Sequence, residues 1–389
     1  MPEEKELRRI RAALACNLLI VLLSADGVVQ HFSHLGWRMF AYYTLCSNAL
    51  LMLACGLCAA YQIAILLGRR LFLPSWASLF KYAAVCTVAV TFFVVILVLA
   101  PMLGGFSHLE YLLFSRAMFG HHFACPLLGM FSLIALDDMA LTDRKLSLLA
   151  LAPTVLYAVV TTVLNVLGVL YGPYPFLHVY EQPVYLSVFW CVLILGIAYV
   201  LAELLRRFSM RFGRQEDELA PARDERHGWS ADGYIIDQDC FSAYTYRTIP
   251  ASDNACGCIA AYDLRRHCGQ DPDFADVLSE MEGMHLLRIP GPTHMRVLRA
   301  YLRKYLSGFH EARGRAACLA AAVRCEMGIL RYWEQRVPHF VPFFRAAGGE
   351  ARFLNVCDGA EDLTCPVDCF FREHCAEGPV RLLYWDTDV

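Results

Sequence analysis

Apolar residues gather into six long stretches over the first half of the chain and into short periodic groups over the second. The six stretches lie near 12–31, 40–66, 81–103, 117–137, 146–171 and 184–205. Each reaches the roughly 20 mostly apolar residues that a helix needs to cross a bilayer. Past residue 205 the pattern changes. Residues 256–267 read as a helix with Cys256, Ala260 and Asp263 on one side, and Asp253 or Asn254 stands where an N-cap is needed. Stretches near 272–284 and 292–306 predict two more amphipathic helices. The period then shortens, and Met327–Trp333, His339–Arg345 and Glu350–Val356 read as strands, the last two joined by a hairpin through Ala346-Ala-Gly-Gly349. Helices followed by an antiparallel sheet make an α+β domain. The expected architecture is an all-α six-helix transmembrane bundle (residues 1–207), a basic and polar juxtamembrane linker (208–233) and an α+β domain (234–389).

Charge sharpens this division. Of 389 residues, the first 205 hold 21 charged side chains, about 10%, and the remaining 184 hold 50, about 27%, an ordinary soluble value. The first half is therefore excluded as a water-soluble domain, and a net charge of −3 offers no footprint for nucleic acid. Thirteen Lys and Arg, including Arg8, Lys81, Lys145 and Arg206, flank the stretches on one side, against only Arg38 and Arg116 on the other. That asymmetry predicts an inner-membrane protein with both termini cytoplasmic. Thiols on that side stay reduced, so no disulfides are expected among the ten cysteines of the second half. Cys357, Cys365, Cys369 and Cys375 with His374 offer one close pair where structural zinc uses two, and neither metal nor cofactor is expected. The acidic Asp358–Asp368 stretch reads as a solvated loop.

Polar side chains inside spans cost about 2.5–3.5 kcal/mol on insertion scales and are functional candidates by default. Thr44 and Asn48 stand one turn apart on a face of the second stretch. His121 and His122 lie in the fourth, and Pro126 downstream kinks that helix and frees carbonyls. These groups either satisfy one another between helices or form a buried nucleophile and general base. In the second half, Cys256 opens a helix, where free N–H groups and the macrodipole lower a thiol pKa. Gly257 beside it permits close approach of a substrate backbone. His339 opens a strand and Asn355 ends its hairpin partner, so pairing brings them together; Asp358 competes for the orienting role. Thiolate, base and orienter are the parts of a Cys-His-Asn hydrolase for an amide, ester or thioester.

Two families are resembled. Phe40-Ala41-Tyr42-Tyr43-Thr44-Leu45-Cys46-Ser47-Asn48, His122-Phe-Ala-Cys-Pro126 and Tyr174-Pro175-Phe176-Leu177 resemble, in order, motifs of bacterial six-span membrane proteins distantly similar to the androgen-induced-gene type of membrane hydrolase. That resemblance implies Thr44 as nucleophile and His122 as base toward fatty acid esters of hydroxy fatty acids, with His121 open as the alternative base. Asp253-Asn-Ala-Cys256-Gly257-Cys258, Gly291-Pro-Thr293, His339-Phe-Val341 and Phe353-Leu-Asn355-Val356 resemble the compact bacterial branch of papain-like cysteine peptidases. It implies a papain-like fold with Cys256, His339 and Asn355 as the site. The glutamine that this family places six residues before its cysteine is Pro250 here, and Gln238, 18 residues upstream, is too distant by spacing. Loss of one oxyanion donor costs about 10²–10³ in rate, which keeps a third reading open: a non-catalytic, membrane-anchored peptide-binding or sensor protein. The expected partners are the lipid bilayer and a peptide or acyl substrate; the oligomeric state is not legible.

Overall fold

The computed structural model describes residues 4–68, 73–115, 118–137, 139, 141, 143–212, 225–287, 289, 291–334, 337–356, 362–376 and 378–386. The chain divides into two compact units, Met1–Asp217 and Glu218–Val389.

Among the described residues the first unit has six helices long and apolar enough to cross a membrane: Leu7–Ala41, Tyr43–Leu66, Ser75–Leu103, Phe119–Leu136, Lys145–Val166 and Val184–Phe212. They are built on α1 (Glu4–Leu35), α2 (Tyr43–Leu66), α3 (Ser75–Val94), α4 (Cys125–Phe131), α5 (Ala152–Val166) and α6 (Val184–Phe212). Large apolar side chains such as Leu22, Leu53, Leu97, Leu156 and Val192 face outward, as a lipid-facing surface requires. The fourth span carries a π-helical turn, Phe119–Ala124, immediately before Pro126; widening that turn is how the helix accommodates a residue without an N–H.

Two of the cations counted as loop charges are not in loops. Lys81 is fully buried, 2.6 Å from Asp137 and donating to Ser132 Oγ at 2.8 Å. Arg206 is buried and bonds Glu203 through Nε and Nη2, both at 2.8 Å, while Ser147 donates to the same carboxylate at 2.9 Å. A charge in a helix bundle persists when it is paired and its remaining donors are satisfied. α6 also continues to Phe212, through residues expected in the linker.

The second unit is a three-layer α/β/α sandwich. Its six-stranded antiparallel sheet runs β3-β8-β4-β5-β6-β7, with β3 His310–Arg313, β4 Met327–Glu334, β5 Val337–Arg345, β6 Ala351–Leu354, β7 Asp362–Cys365 and β8 Arg381–Trp385. A two-stranded ribbon, β1 (Thr245–Tyr246) with β2 (Ile249–Pro250), precedes the helices. α7 (Cys256–His267), α8 (Phe274–Gly283) and α9 (Met295–Tyr305) cover one face, packing Ile259, Leu278 and Leu298 with Ile329, Phe340 and Trp385. α10 (Arg315–Ala322) and α11 (Val367–Glu373) cover the other, around Tyr332, Phe353 and Phe370. The stretch expected as an acidic loop thus contains β7 and the start of α11. The soluble fold also begins before residue 234: Trp229 packs edge-on against Phe241 and Tyr262, with ring centroids 5.3 and 5.6 Å away.

Candidate functional site

The start of α7 is clamped from two sides. Asn254 donates to Tyr246 O at 2.7 Å and to Gly291 O at 3.2 Å, tying the approach to α7 to the ribbon and to the segment before α9. Thr293 donates to Asn254 O at 3.3 Å. A Cβ on Gly257 would fall 2.5 Å from Thr293 Cγ2, so glycine here makes room for Thr293, not for a substrate backbone as the sequence suggested.

Cys256 and His339 come together at this clamped end. His339 stands opposite Tyr332 in the β4–β5 register, and its Nε2 lies 2.7 Å from Asn355 O. A carbonyl only accepts, so Nε2 carries the hydrogen and Nδ1 keeps the lone pair that a thiol proton needs. Burial by itself pushes the Cys256 thiol up. Hydrogen bonding and charge from His339, with the N–H groups of Phe340 and Gly257, outweigh burial and hold the thiol below its ordinary value of 9.0. Two residues on, Cys258 has the opposite environment: it is fully buried 3.8 Å from Thr293 Oγ1, and burial pushes it up to about 12. Helix position alone therefore does not activate a thiol in this segment; the imidazole does.

Asn355 orients the ring, but through its main chain. Its φ is +54°, left-handed backbone that asparagine tolerates better than most residues. That turn sends the carbonyl to His339 and the side chain elsewhere. Asn355 Oδ1 accepts from Gln238 N at 3.0 Å, and Nδ2 donates to Gln238 Oε1 at 3.4 Å. The expected amide-to-imidazole bond is thus replaced by a carbonyl-to-imidazole bond. Gln238, set aside on spacing, is drawn to the site because the ribbon folds the intervening residues back, and its Nε2 donates to Ser252 O at 2.5 Å. The alternative orienter Asp358 lies outside the described residues.

The first unit holds a second pair of the same build. Thr44 Oγ1 lies 3.2 Å from His122 Nε2, and His122 Nδ1 lies 2.7 Å from Leu112 O. The carbonyl again assigns the hydrogen to the outer nitrogen and leaves the inner one to accept from the hydroxyl. Asn48 donates to Thr44 O at 2.9 Å and to His121 O at 3.1 Å, pinning α2 to the fourth span. His121 itself points away: its Nε2 is 3.4 Å from Ser24 O, it stacks on His31 at 5.4 Å, and a Cβ on Gly27 would strike its ring. Of the two histidines left open, His122 is the one that meets Thr44. Tyr174, the first residue of the third motif and given no role there, accepts from Thr44 N at 3.4 Å. Thr44 also lines a cavity of about 70 Å³ walled by Val90, Val94, Leu99, Phe176 and Ile194.

Six spanning helices followed by an α+β unit define the class: a multi-pass integral membrane protein. Compared with protein-family models, curated proteins and solved structures, the chain matches none.

Proposed function

We propose that this protein is a membrane-anchored cysteine hydrolase, papain-like in the build of its soluble unit, with both termini on the cytoplasmic side of a bacterial-type inner membrane. The observation that carries the reading is the His339 ring, which lowers the Cys256 thiol while its far nitrogen is held by the Asn355 carbonyl. Cys256 passes its proton to His339, and the thiolate attacks the carbonyl carbon of an amide, ester or thioester. The leaving group departs with the proton from His339. Water, deprotonated by the same ring, then releases the acid and restores the thiol. The Cys256 N–H and the Gln238 amide serve as donors to the developing oxyanion.

The test uses a thiol-directed electrophilic probe on the full chain in nanodiscs. Cys256→Ala abolishes labelling of the α7 peptide, and His339→Ala lowers it by about 10²–10⁴, the usual weight of a general base. Equal labelling of wild type and His339→Ala overturns the reading and favours the non-catalytic, peptide-gripping alternative.

A second reading rests on the Thr44–His122 pair beside its apolar cavity. It assigns the membrane unit the hydrolysis of long-chain esters, with the Thr44 hydroxyl as nucleophile. Cys256→Ala keeps such turnover and Thr44→Ala removes it; turnover unchanged in Thr44→Ala overturns this second activity.

A further inference from the structure

We propose that the acyl substrate of Cys256 carries an anionic group, a carboxylate close to the scissile carbonyl, and that Arg331 on β4 is the residue that receives it. This rests on the cysteine-hydrolase reading above and narrows its substrate class. The register sets the geometry. Arg313 pairs with Arg381, Arg381 with Arg331, and Arg331 with Phe340. Directly opposed residues share a face, so four adjacent strands present three arginines and Phe340 in one row. The last member adjoins the thiol's histidine: Phe340 follows His339 in β5, and its main-chain N–H helps to lower the Cys256 thiol.

Like charges directly opposed across strands are destabilising, so such a row requires compensating anions. For its outer end they are present. Glu311 bonds Arg313 at 3.0 Å and Arg299 at 2.9 Å, and Arg381 lies in the field of the same carboxylate. Among the described residues Arg331 has no such partner. It is half-buried, with its guanidinium 5.7 Å from the Trp333 ring centre and 5.9 Å from that of Phe340. Its charged neighbours among the described residues are Arg381 and Cys256, and burial together with Arg381 holds it below its ordinary value. The buried indole N–H of Trp333 has no hydrogen-bond partner among the described residues.

The segment before α9 lies in a field of the same sign. His294, just before α9, is depressed by burial first and then by Arg247, Arg296 and Arg331. A half-buried guanidinium without a carboxylate gains a charge-assisted, bidentate partner only when an anion arrives, and here that arrival places the anion beside the thiolate.

Charge-selective alkylation tests this on the full chain in nanodiscs, read at the α7 peptide by mass spectrometry. Iodoacetate and iodoacetamide undergo the same step, in which the thiolate forms the S–C bond and iodide departs. They differ in the carboxylate. Arg331→Gln is expected to lower the iodoacetate-to-iodoacetamide rate ratio at Cys256 about tenfold, and Arg331→Lys to retain most of the preference. An unchanged ratio in Arg331→Gln, with Cys256 still faster than Cys268, overturns this proposal and leaves the hydrolase reading standing. Cys256 in wild type no faster than Cys268 toward either reagent overturns the hydrolase reading itself. Should Arg331→Gln lose iodoacetamide reactivity through unfolding, Arg331→Met, which keeps an apolar stem over the rings, gives the ratio in its place.

Discussion

An imidazole held by a main-chain carbonyl answers to mutation differently from one held by a side chain. The Asn355 amide faces Gln238, and its φ of +54° aims the carbonyl at His339. Asn355→Gly preserves that backbone and the carbonyl, so reactivity at Cys256 is expected to stay within severalfold of wild type. Asn355→Ala keeps the atoms of the carbonyl but pays about 1–2 kcal/mol for the left-handed conformation, and reactivity and stability fall together. Rates of iodoacetamide labelling for the two variants check this; loss of reactivity in Asn355→Gly would instead give the amide the orienting role.

At the scale of elements, α7 connects Cys256 to the entry of the second unit's fold. Asp263, seven residues past Cys256, is fully buried and accepts the Ile235 N–H at 2.8 Å with Oδ1, while Oδ2 has no hydrogen-bond partner among the described residues. Burial pushes its carboxyl well above the ordinary range, against smaller opposing effects of the Ile235 N–H, Arg352 and Arg266. The folded state therefore keeps a proton that the unfolded chain releases above about pH 4, and stability falls as pH rises from there toward the folded value. Asp263→Asn has no such proton to lose. Hydrogen-exchange protection of α7 amides in the full chain should decline between pH 4 and 8 in wild type and stay level in Asp263→Asn. Parallel declines would exclude this carboxyl as the cause.

For the whole molecule, the Lys81–Asp137 pair shows how the membrane unit carries charge in its interior. Breaking a buried pair from one side leaves an uncompensated ion and costs about 3–5 kcal/mol, whereas replacing both partners with apolar groups is often neutral. Asp137→Ala should lower the thermal midpoint of the detergent-solubilised chain sharply, and Lys81→Met with Asp137→Leu should restore it. A double variant no better than Asp137→Ala would give the pair a role beyond mutual neutralisation.

The six spans, α7 and the β4–β6 strands were legible because their signals are local: a run of apolar residues, a 3.6-residue period, a glycine hairpin. Thr44, His122, Cys256 and His339 stood out as candidates because polar groups inside spans are costly and a thiol at a helix start is set beside free N–H groups. What could not be read depends on contacts across the chain. β3 and β8 are short strands that find their partners through the sheet, and β7 is too polar to announce itself. Gln238 reaches Asn355 across 117 residues, and Tyr174 reaches Thr44 across 130. By itself, then, the sequence determined that six apolar helices precede an α+β unit and which residue types are able to react, since both follow from composition and near-neighbour periodicity. The tertiary structure decided which imidazole meets Thr44 and which meets Cys256, that a carbonyl holds each ring, and that Arg331 has no acid partner among the described residues. Hydrogen bonds and charge act over a few ångströms of space, whatever the distance along the chain.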